Sequence, residues 1–193
     1  MTCIIGLECD GEVYVGTDSA LSDTWTISSL AAREKVFVKH DMIFGVCGSM
    51  RLAQLLHHAL EVPEHEEEKD VMSYLVVDFV DSLREMLKDK GTLYTSDDEG
   101  KVEYLPNSAF ILGYGGKVYV VDEDMQVSRS VGGFMCEGSG KEVATGAMQV
   151  LKDRHDLTPE DKIRKALEAS ALHTCYVQGP FHVMKLSDDD DDD

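Results

Sequence analysis

Thr2-Cys3-Ile4-Ile5-Gly6-Leu7-Glu8-Cys9-Asp10-Gly11-Glu12-Val13-Tyr14-Val15-Gly16-Thr17-Asp18 is the stretch on which the fold turns. Two alternating apolar runs, Cys3 to Cys9 and Val13 to Thr17, flank Asp10-Gly11, a dipeptide suited to the positive φ values of a tight hairpin turn. The stretch therefore reads as a β-hairpin. A polar segment rich in Ser and Thr, Ser19 to Arg33, reads as loop. A second hairpin follows, with Lys35-Val36-Phe37-Val38, a turn at His40-Asp41, and Met42 to Cys47. Gly48-Ser49 ends it, and Ser49 suits the N-cap of a helix.

Helical periodicity then takes over. Apolar residues at 52, 55, 56, 59 and 60 form one stripe, which Pro63 and the acidic run Glu64 to Glu68 interrupt. Val71, Leu75, Phe79, Leu83, Met86 and Leu87 form a longer stripe ending at Gly91. After an acidic and polar loop, Thr92 to Asn107, strands resume: Ala109 to Leu112, a Gly113-Tyr114-Gly115-Gly116 turn, Lys117 to Val121, Gln126 to Ser128, and Gly133 to Cys136. Ser139-Gly140-Lys141-Glu142 reads as a capping box opening a third helix. Thr158-Pro159-Glu160-Asp161 opens a fourth, with a cap and Pro in the first turn. Tyr176-Val177 and Phe181 to Leu186 read as closing strands. Strands in hairpin runs and helices in pairs predict an α+β fold. The expected architecture is a four-layer αββα sandwich of two antiparallel sheets covered by helix pairs. It forms one domain over residues 1–187, with an acidic tail at 188–193.

Charge narrows the function. The 193 residues carry 18 Lys and Arg against 37 Asp and Glu, a net −19, and six of the acids are the run Asp188 to Asp193. A sequence-independent grip on nucleic acid is disfavoured, and so is attachment to an anionic membrane through a basic patch. No run of 18 apolar residues exists to span a bilayer, and Met1-Thr2-Cys3-Ile4-Ile5 lacks a signal peptide's basic start. The five cysteines (Cys3, Cys9, Cys47, Cys136, Cys175) are scattered in or beside apolar runs, without a Cys-x-x-Cys pair. They read as buried, reduced thiols of a cytoplasmic protein, with no zinc site.

Several motifs fail on inspection. Gly138-Ser139-Gly140-Lys141 has Met135 where a phosphate loop needs Gly, and Glu142 where it needs a hydroxyl. A strand, not a helix, follows Gly113-Tyr114-Gly115-Gly116, which argues against a dinucleotide fingerprint. Asp97-Asp98-Glu99-Gly100 misses calcium-loop spacing. His57-His58 lacks the partners of a metal site and reads as surface. No cofactor or metal is implied.

What remains is an ordered set: Thr2, Asp18 after the second strand, Lys35 opening the third, Gly45-x-x-Gly48 closing the fourth, and Gly138-Ser139-Gly140 before a helix. With the opening run, this set resembles proteasome β subunits, N-terminal nucleophile (Ntn) hydrolases. It is most similar to bacterial proteasome-like peptidases of the two-component heat-shock type and their phage relatives. The resemblance covers most of the chain in order and spacing, and only these short segments match closely.

The resemblance implies a threonine-type endopeptidase. Methionine aminopeptidase trims Met1 before a small residue such as Thr, which leaves Thr2 with both a hydroxyl and a free α-amino group. That amine titrates near 7.7–8.0 and so supplies a general base on the nucleophile itself. By resemblance, Thr2 forms an acyl-enzyme and Lys35 stabilises the developing alkoxide. Asp18 keeps Lys35 charged and aimed, the Gly48 N–H serves the oxyanion, and Ser139 hydrogen-bonds near the Thr2 amine. The plainer readings are an ordinary second residue with Met1 retained, a turn aspartate, a solvated lysine, a turn glycine and a helix cap. The implied substrate is unfolded polypeptide inside a homo-oligomeric ring, fed by an ATP-dependent unfoldase. One departure stands out: the stretch Ala169 to Tyr176 lacks the Asp that supports the amine in proteasome β subunits, and offers Ser170 and Thr174 instead. A catalytically inactive ring or scaffold, or an Ntn amidohydrolase acting on a small amide, would keep the same fold.

Overall fold

The computed structural model describes residues 2–22, 26–29, 35–95, 103–105 and 107–186. Met1, the Asp97–Gly100 segment and the acidic tail lie outside these described residues.

The opening hairpin forms as the alternation predicts. β1 (Cys3–Cys9) and β2 (Glu12–Thr17) pair antiparallel, from Ile4 opposite Thr17 to Cys9 opposite Glu12. Asp10 at φ 52° and Gly11 at φ 85° make the turn. Between that hairpin and the next, the Ser/Thr-rich stretch is not all loop, because β3 (Ala20–Ser22) and β4 (Ile27–Ser29) pair as a small hairpin. β5 (Val36–Lys39) and β6 (Met42–Cys47) form the second expected hairpin.

α1 (Met50–His58) starts where Ser49 accepts the Leu52 N–H. The longer stripe becomes α2 (Val71–Ser73), a π-helical stretch Tyr74–Phe79, and α3 (Val80–Asp89). Bonding between residues five apart places Tyr74 and Phe79 on one face, and both are buried with Leu75. The acidic loop before α2 is tied down. His65 meets the Tyr114 hydroxyl at 2.7 Å, and the Tyr74 hydroxyl donates to the Pro63 carbonyl at 2.6 Å.

Beyond the helices come β7 (Tyr94–Thr95) and β8 (Glu103–Tyr104), a short pair within the expected loop. β9 (Ala109–Tyr114), β10 (Lys117–Val121), β11 (Val127–Arg129) and β12 (Phe134–Gly138) follow. The chain then forms α4 (Lys141–Leu151), α5 (Pro159–His173) and β13 (His182–Lys185). Thr158 caps α5 through the Asp161 N–H, as expected. Tyr176-Val177 is not a strand: Tyr176 sits at φ 109°, which extended backbone does not allow.

One sheet has the order β12-β1-β2-β13 and the other β11-β10-β9-β6-β5. Side-chain alternation divides each strand between two cores. Cys3, Ile5 and Leu7 of β1 face α4 and α5, while Ile4 joins Val13, Val15, Ile43 and Ile111 between the sheets. Phe44, Val46, Phe110 and Leu112 face the opposite way, under α1, the π-helical stretch and α3. Strands covered on both sides explain why the apolar runs are nearly continuous. The result is the expected αββα sandwich. No helix among the described residues is long and apolar enough to cross a membrane.

The thiols depart from expectation in part. Cys3, Cys47 and Cys136 are buried, Cys9 is half-buried and Cys175 is exposed. Burial pushes Cys3 and Cys136 up to about 12 and Cys47 up to about 11. Alkylation at pH 8 is therefore expected to modify Cys175 in the native chain and to reach Cys3, Cys47 and Cys136 only in denaturant. Peptide mapping reads this out, and labelling of Cys3 in the native chain would contradict the packing.

Candidate active site

Thr17-Asp18-Ser19 runs on from β2 with no side chain open to solvent. A buried carboxylate demands partners, and Asp18 has four. Its Oδ1 accepts the Cys3 N–H at 3.1 Å and the Lys35 ammonium at 3.0 Å. Its Oδ2 accepts the Ala20 N–H at 2.9 Å and the Gln178 N–H at 3.3 Å. The turn-aspartate reading holds in part, because the Ala20 N–H is the bond to its own backbone two residues on, but Asp18 is buried and binds three further groups as well.

Lys35, one residue before β5, is 1 % exposed, so the solvated-lysine reading fails. Its Nζ also donates to the Ala20 carbonyl at 2.6 Å, and these two bonds take up two of its three N–H directions. Burial pulls the Lys35 ammonium below the ordinary lysine range, against the raising effect of the Asp18 charge. The carboxylate is what keeps a cation at this depth.

Thr2 is buried at the head of β1. Its nitrogen donates to Ser139 Oγ at 3.2 Å, and Ser139 Oγ returns a bond to the Thr2 carbonyl at 3.3 Å. Ser139 is therefore not a helix cap. The N-cap of α4 is Gly140, with no side-chain bond, so the capping box does not form. The hydroxyl is left to Thr2.

The turn around Ser139 fits tightly against the chain start. A Cβ on Gly138, at φ +94°, would collide with the Thr2 carbonyl, and one on Gly140 would lie 2.9 Å from Cys3 Cβ. Gly140 in turn donates its N–H to the Thr2 carbonyl at 3.3 Å. Gly48, exposed at φ +96°, ends β6 beside Asn107 and Ser108, where a Cβ would collide with the Asn107 carbonyl. Direct contacts thus join Thr2 to Ser139, and Asp18 to Lys35 and to the peptide that follows Thr2. Gly48 is positioned independently, by β6 and the Asn107-Ser108 turn.

One feature carried no sequence signal, and for another the sequence offered Ser170 and Thr174 without assigning their partners. The Ala20 and Gln178 donors are backbone groups, so no side chain announces them. Ser170 sends its hydroxyl to the Gly140 carbonyl at 3.2 Å, and the Thr174 hydroxyl goes to the Ser170 carbonyl at 2.6 Å. Beside Thr2 lies a thiol, Cys3. With a pKa near 12 it remains a thiol at neutral pH, and only a thiolate attacks effectively. Among the described residues, no group of three or more His, Cys, Asp or Glu is placed to hold a metal ion.

Comparison with solved structures gives this arrangement a context. The BPH chain of Thiobacillus denitrificans superposes with a TM-score of 0.77 at 20 % identity, over 97 % of this chain and 100 % of that one. The same protein in complex with epoxomicin gives 0.76 at 20 % identity, over 96 % and 99 %. Eukaryotic HslV from Trypanosoma brucei gives 0.66 at 17 % identity, over 95 % and 98 %. The chain has the proteasome-like Ntn-hydrolase fold. No family model and no curated protein matches the sequence. In this Ntn-hydrolase fold, Thr2 heads a strand of one sheet and Lys35 leads into an edge strand of the other, so Asp18 bridges the two sheets.

The bonding around Asp18 orders two substitutions. Asp18→Ala strands a buried ammonium and three N–H groups and is expected to cost about 3–5 kcal/mol. Lys35→Met leaves the carboxylate on three backbone donors and is expected to cost less. Urea midpoints of the two variants check the order, and a Lys35→Met midpoint at or below that of Asp18→Ala would contradict it.

Proposed function

We propose that the chain is a threonine-type endopeptidase whose nucleophile is Thr2 after removal of Met1, acting on unfolded polypeptide inside a homo-oligomeric ring. The observation that carries this reading is the placement of two successive nitrogens. That of Thr2 lies on Ser139 Oγ, and that of Cys3 lies on the Asp18 oxygen that also holds Lys35. Trimming Met1 would convert the first nitrogen into an amine already fixed relative to a buried cation.

The chemistry follows from these residues. The free amine takes the Thr2 hydroxyl proton as the oxygen attacks a peptide carbonyl. Lys35 lowers the cost of the developing alkoxide, and Asp18 holds that charge in place. The Gly48 N–H donates to the oxyanion, where one such donor is worth roughly 10²–10³ in rate. Collapse expels the amine half of the substrate, carrying the transferred proton, and leaves an ester on Thr2. Water then hydrolyses the ester with the same amine as base. A ring would hide this site from folded proteins, with an ATP-dependent unfoldase delivering extended chain. No described side chain places an Asp beside the amine from the Ala169–Tyr176 stretch, and Ser139 carries that support here. The catalytic reading is favoured over an inactive scaffold because the Asp18 oxygen that holds the buried lysine also holds the peptide that follows Thr2.

Hydrolysis of unfolded casein by wild type and Thr2→Ala tests the nucleophile. The variant is expected to lose at least about 10³-fold in rate with unchanged sedimentation, and full activity would overturn the reading. Epoxomicin, which the Thiobacillus protein binds, is expected to raise the melting temperature of wild type and not that of Thr2→Ala. Small acyl amides as the better substrates would favour the amidohydrolase instead.

The pH profile has a definite sign. Below the amine pKa, about 7.7–8.0 when unperturbed, the base is protonated and kcat/KM falls. Above the Lys35 pKa, which burial lowers from the ordinary 10.5, the cation is lost and kcat/KM falls again. A bell is expected, with its alkaline limb below the ordinary lysine range. Lys35→Arg, which does not titrate there, is expected to lose that limb at a reduced maximum rate. An alkaline limb unmoved in Lys35→Arg would contradict the role of the lysine.

A further inference from the structure

We infer that Ser170, on α5, is a positioning residue for Ser139 and through it for the Thr2 amine; the inference rests on the peptidase reading of the same site. Ser170 is fully buried among apolar neighbours, with Ala166 and Leu167 on the same helix. A buried hydroxyl on a helix ordinarily bonds back to its own turn. This one instead crosses to the β12–α4 turn and donates to the Gly140 carbonyl at 3.2 Å, and it accepts the Cys3 thiol at 3.7 Å. Both of its partners adjoin the site, since Cys3 follows Thr2 and Gly140 follows Ser139.

The turn that carries Ser139 has few other restraints. Its helix has no side-chain cap, and Gly138 and Gly140 supply no side chains to hold it. The bonds that fix it are the pairing of Gly138 with Cys3, the Gly140 N–H on the Thr2 carbonyl, and two donors on the Gly140 carbonyl, the Ala144 N–H at 3.0 Å and the Ser170 hydroxyl. Of these, the Ser170 bond is the one that ties the turn to α5. Without it the Gly140 carbonyl keeps only the Ala144 N–H of its own helix, and the turn loses its tie to α5 and is free to shift. Ser139 moves with the turn, away from the Thr2 nitrogen.

The consequence for chemistry is directional. Ser139 Oγ accepts from the Thr2 nitrogen, and an acceptor opposite an ammonium favours the charged form. Losing that acceptor lowers the amine pKa. The acidic limb of the kcat/KM profile therefore shifts to lower pH, while kcat falls because the amine is no longer aligned with the hydroxyl. Substrate contacts are untouched, so KM holds.

The test uses the full-length protein with unfolded casein as substrate. Ser170→Ala is expected to lower kcat about tenfold, to leave KM within about twofold, and to move the acidic limb down by a measurable fraction of a pH unit. Ser170→Cys keeps a weak donor of similar size and is expected to fall between wild type and Ser170→Ala. It also carries the test should Ser170→Ala fail to fold. Ala166→Gly, equally buried on α5 but bonded to nothing in the turn, controls for loss of helix stability and is expected to keep the wild-type kcat and limb. Wild-type kcat and limb in Ser170→Ala or Ser170→Cys would overturn the inference, as would the same changes in Ala166→Gly. Both outcomes leave the peptidase reading standing. Activity retained by Thr2→Ala in the same assay would instead remove that reading.

Discussion

Asp18 takes four hydrogen bonds in a place water does not reach, and the groups that supply them come from separate parts of the chain. The Cys3 N–H starts β1, the Ala20 N–H starts β3, the Lys35 ammonium leads into β5, and the Gln178 N–H lies in the segment after α5. A carboxylate left bare at that depth would cost several kcal/mol, so each donor is held there by the need of the others. Lys35 is the clearest case. Its cation is tolerated in the interior because Asp18 and the Ala20 carbonyl receive it. The same knot that closes one end of the sandwich therefore fixes a positive charge near the chain start.

In the proposed mechanism, the surroundings of that knot must separate nucleophile from bystander. Thr2 and Cys3 are adjacent, and on intrinsic reactivity sulfur would win. Burial reverses the order, because it removes the thiolate of Cys3 and packs its sulfur against Ser170 and Gly140. The Thr2 nitrogen, in contrast, is held by a hydroxyl that capping would otherwise have consumed. Two glycines make this approach feasible, and they explain why the turn reads Gly138-Ser139-Gly140 and not a sequence with a better cap.

Much of this was legible before the structure. Alternation from Cys3 to Thr17 around Asp10-Gly11, and the apolar segments flanking His40-Asp41, revealed both central hairpins. Of the ordered set Thr2, Asp18, Lys35, Gly48 and Ser139, the structure brings Thr2 against Ser139 and Asp18 against Lys35. Elements defined by tertiary bonding were not legible. β3 and β4 are three residues long, too short to show a period, and their apolar side chains Leu21 and Ile27 stay largely exposed. Tyr176-Val177 has the composition of a strand, yet its backbone turns so that the next N–H reaches Asp18. Ser139 has the spacing of a capping box, and the pull of the chain start overrides it. Ser170 and Thr174 were both on offer in the sequence, and only the packing of α5 against the turn shows that Ser170 is the one that reaches Gly140.

Everything in the catalytic account requires that the Thr2 nitrogen be an amine. Intact-mass spectrometry of the purified chain decides this in one measurement, because a retained Met1 keeps that nitrogen as an amide with no basicity. The account predicts a mass lower than that of the full sequence by one methionine residue, in the same preparation that hydrolyses casein. A hydrolytically active preparation whose mass still includes Met1 would contradict it.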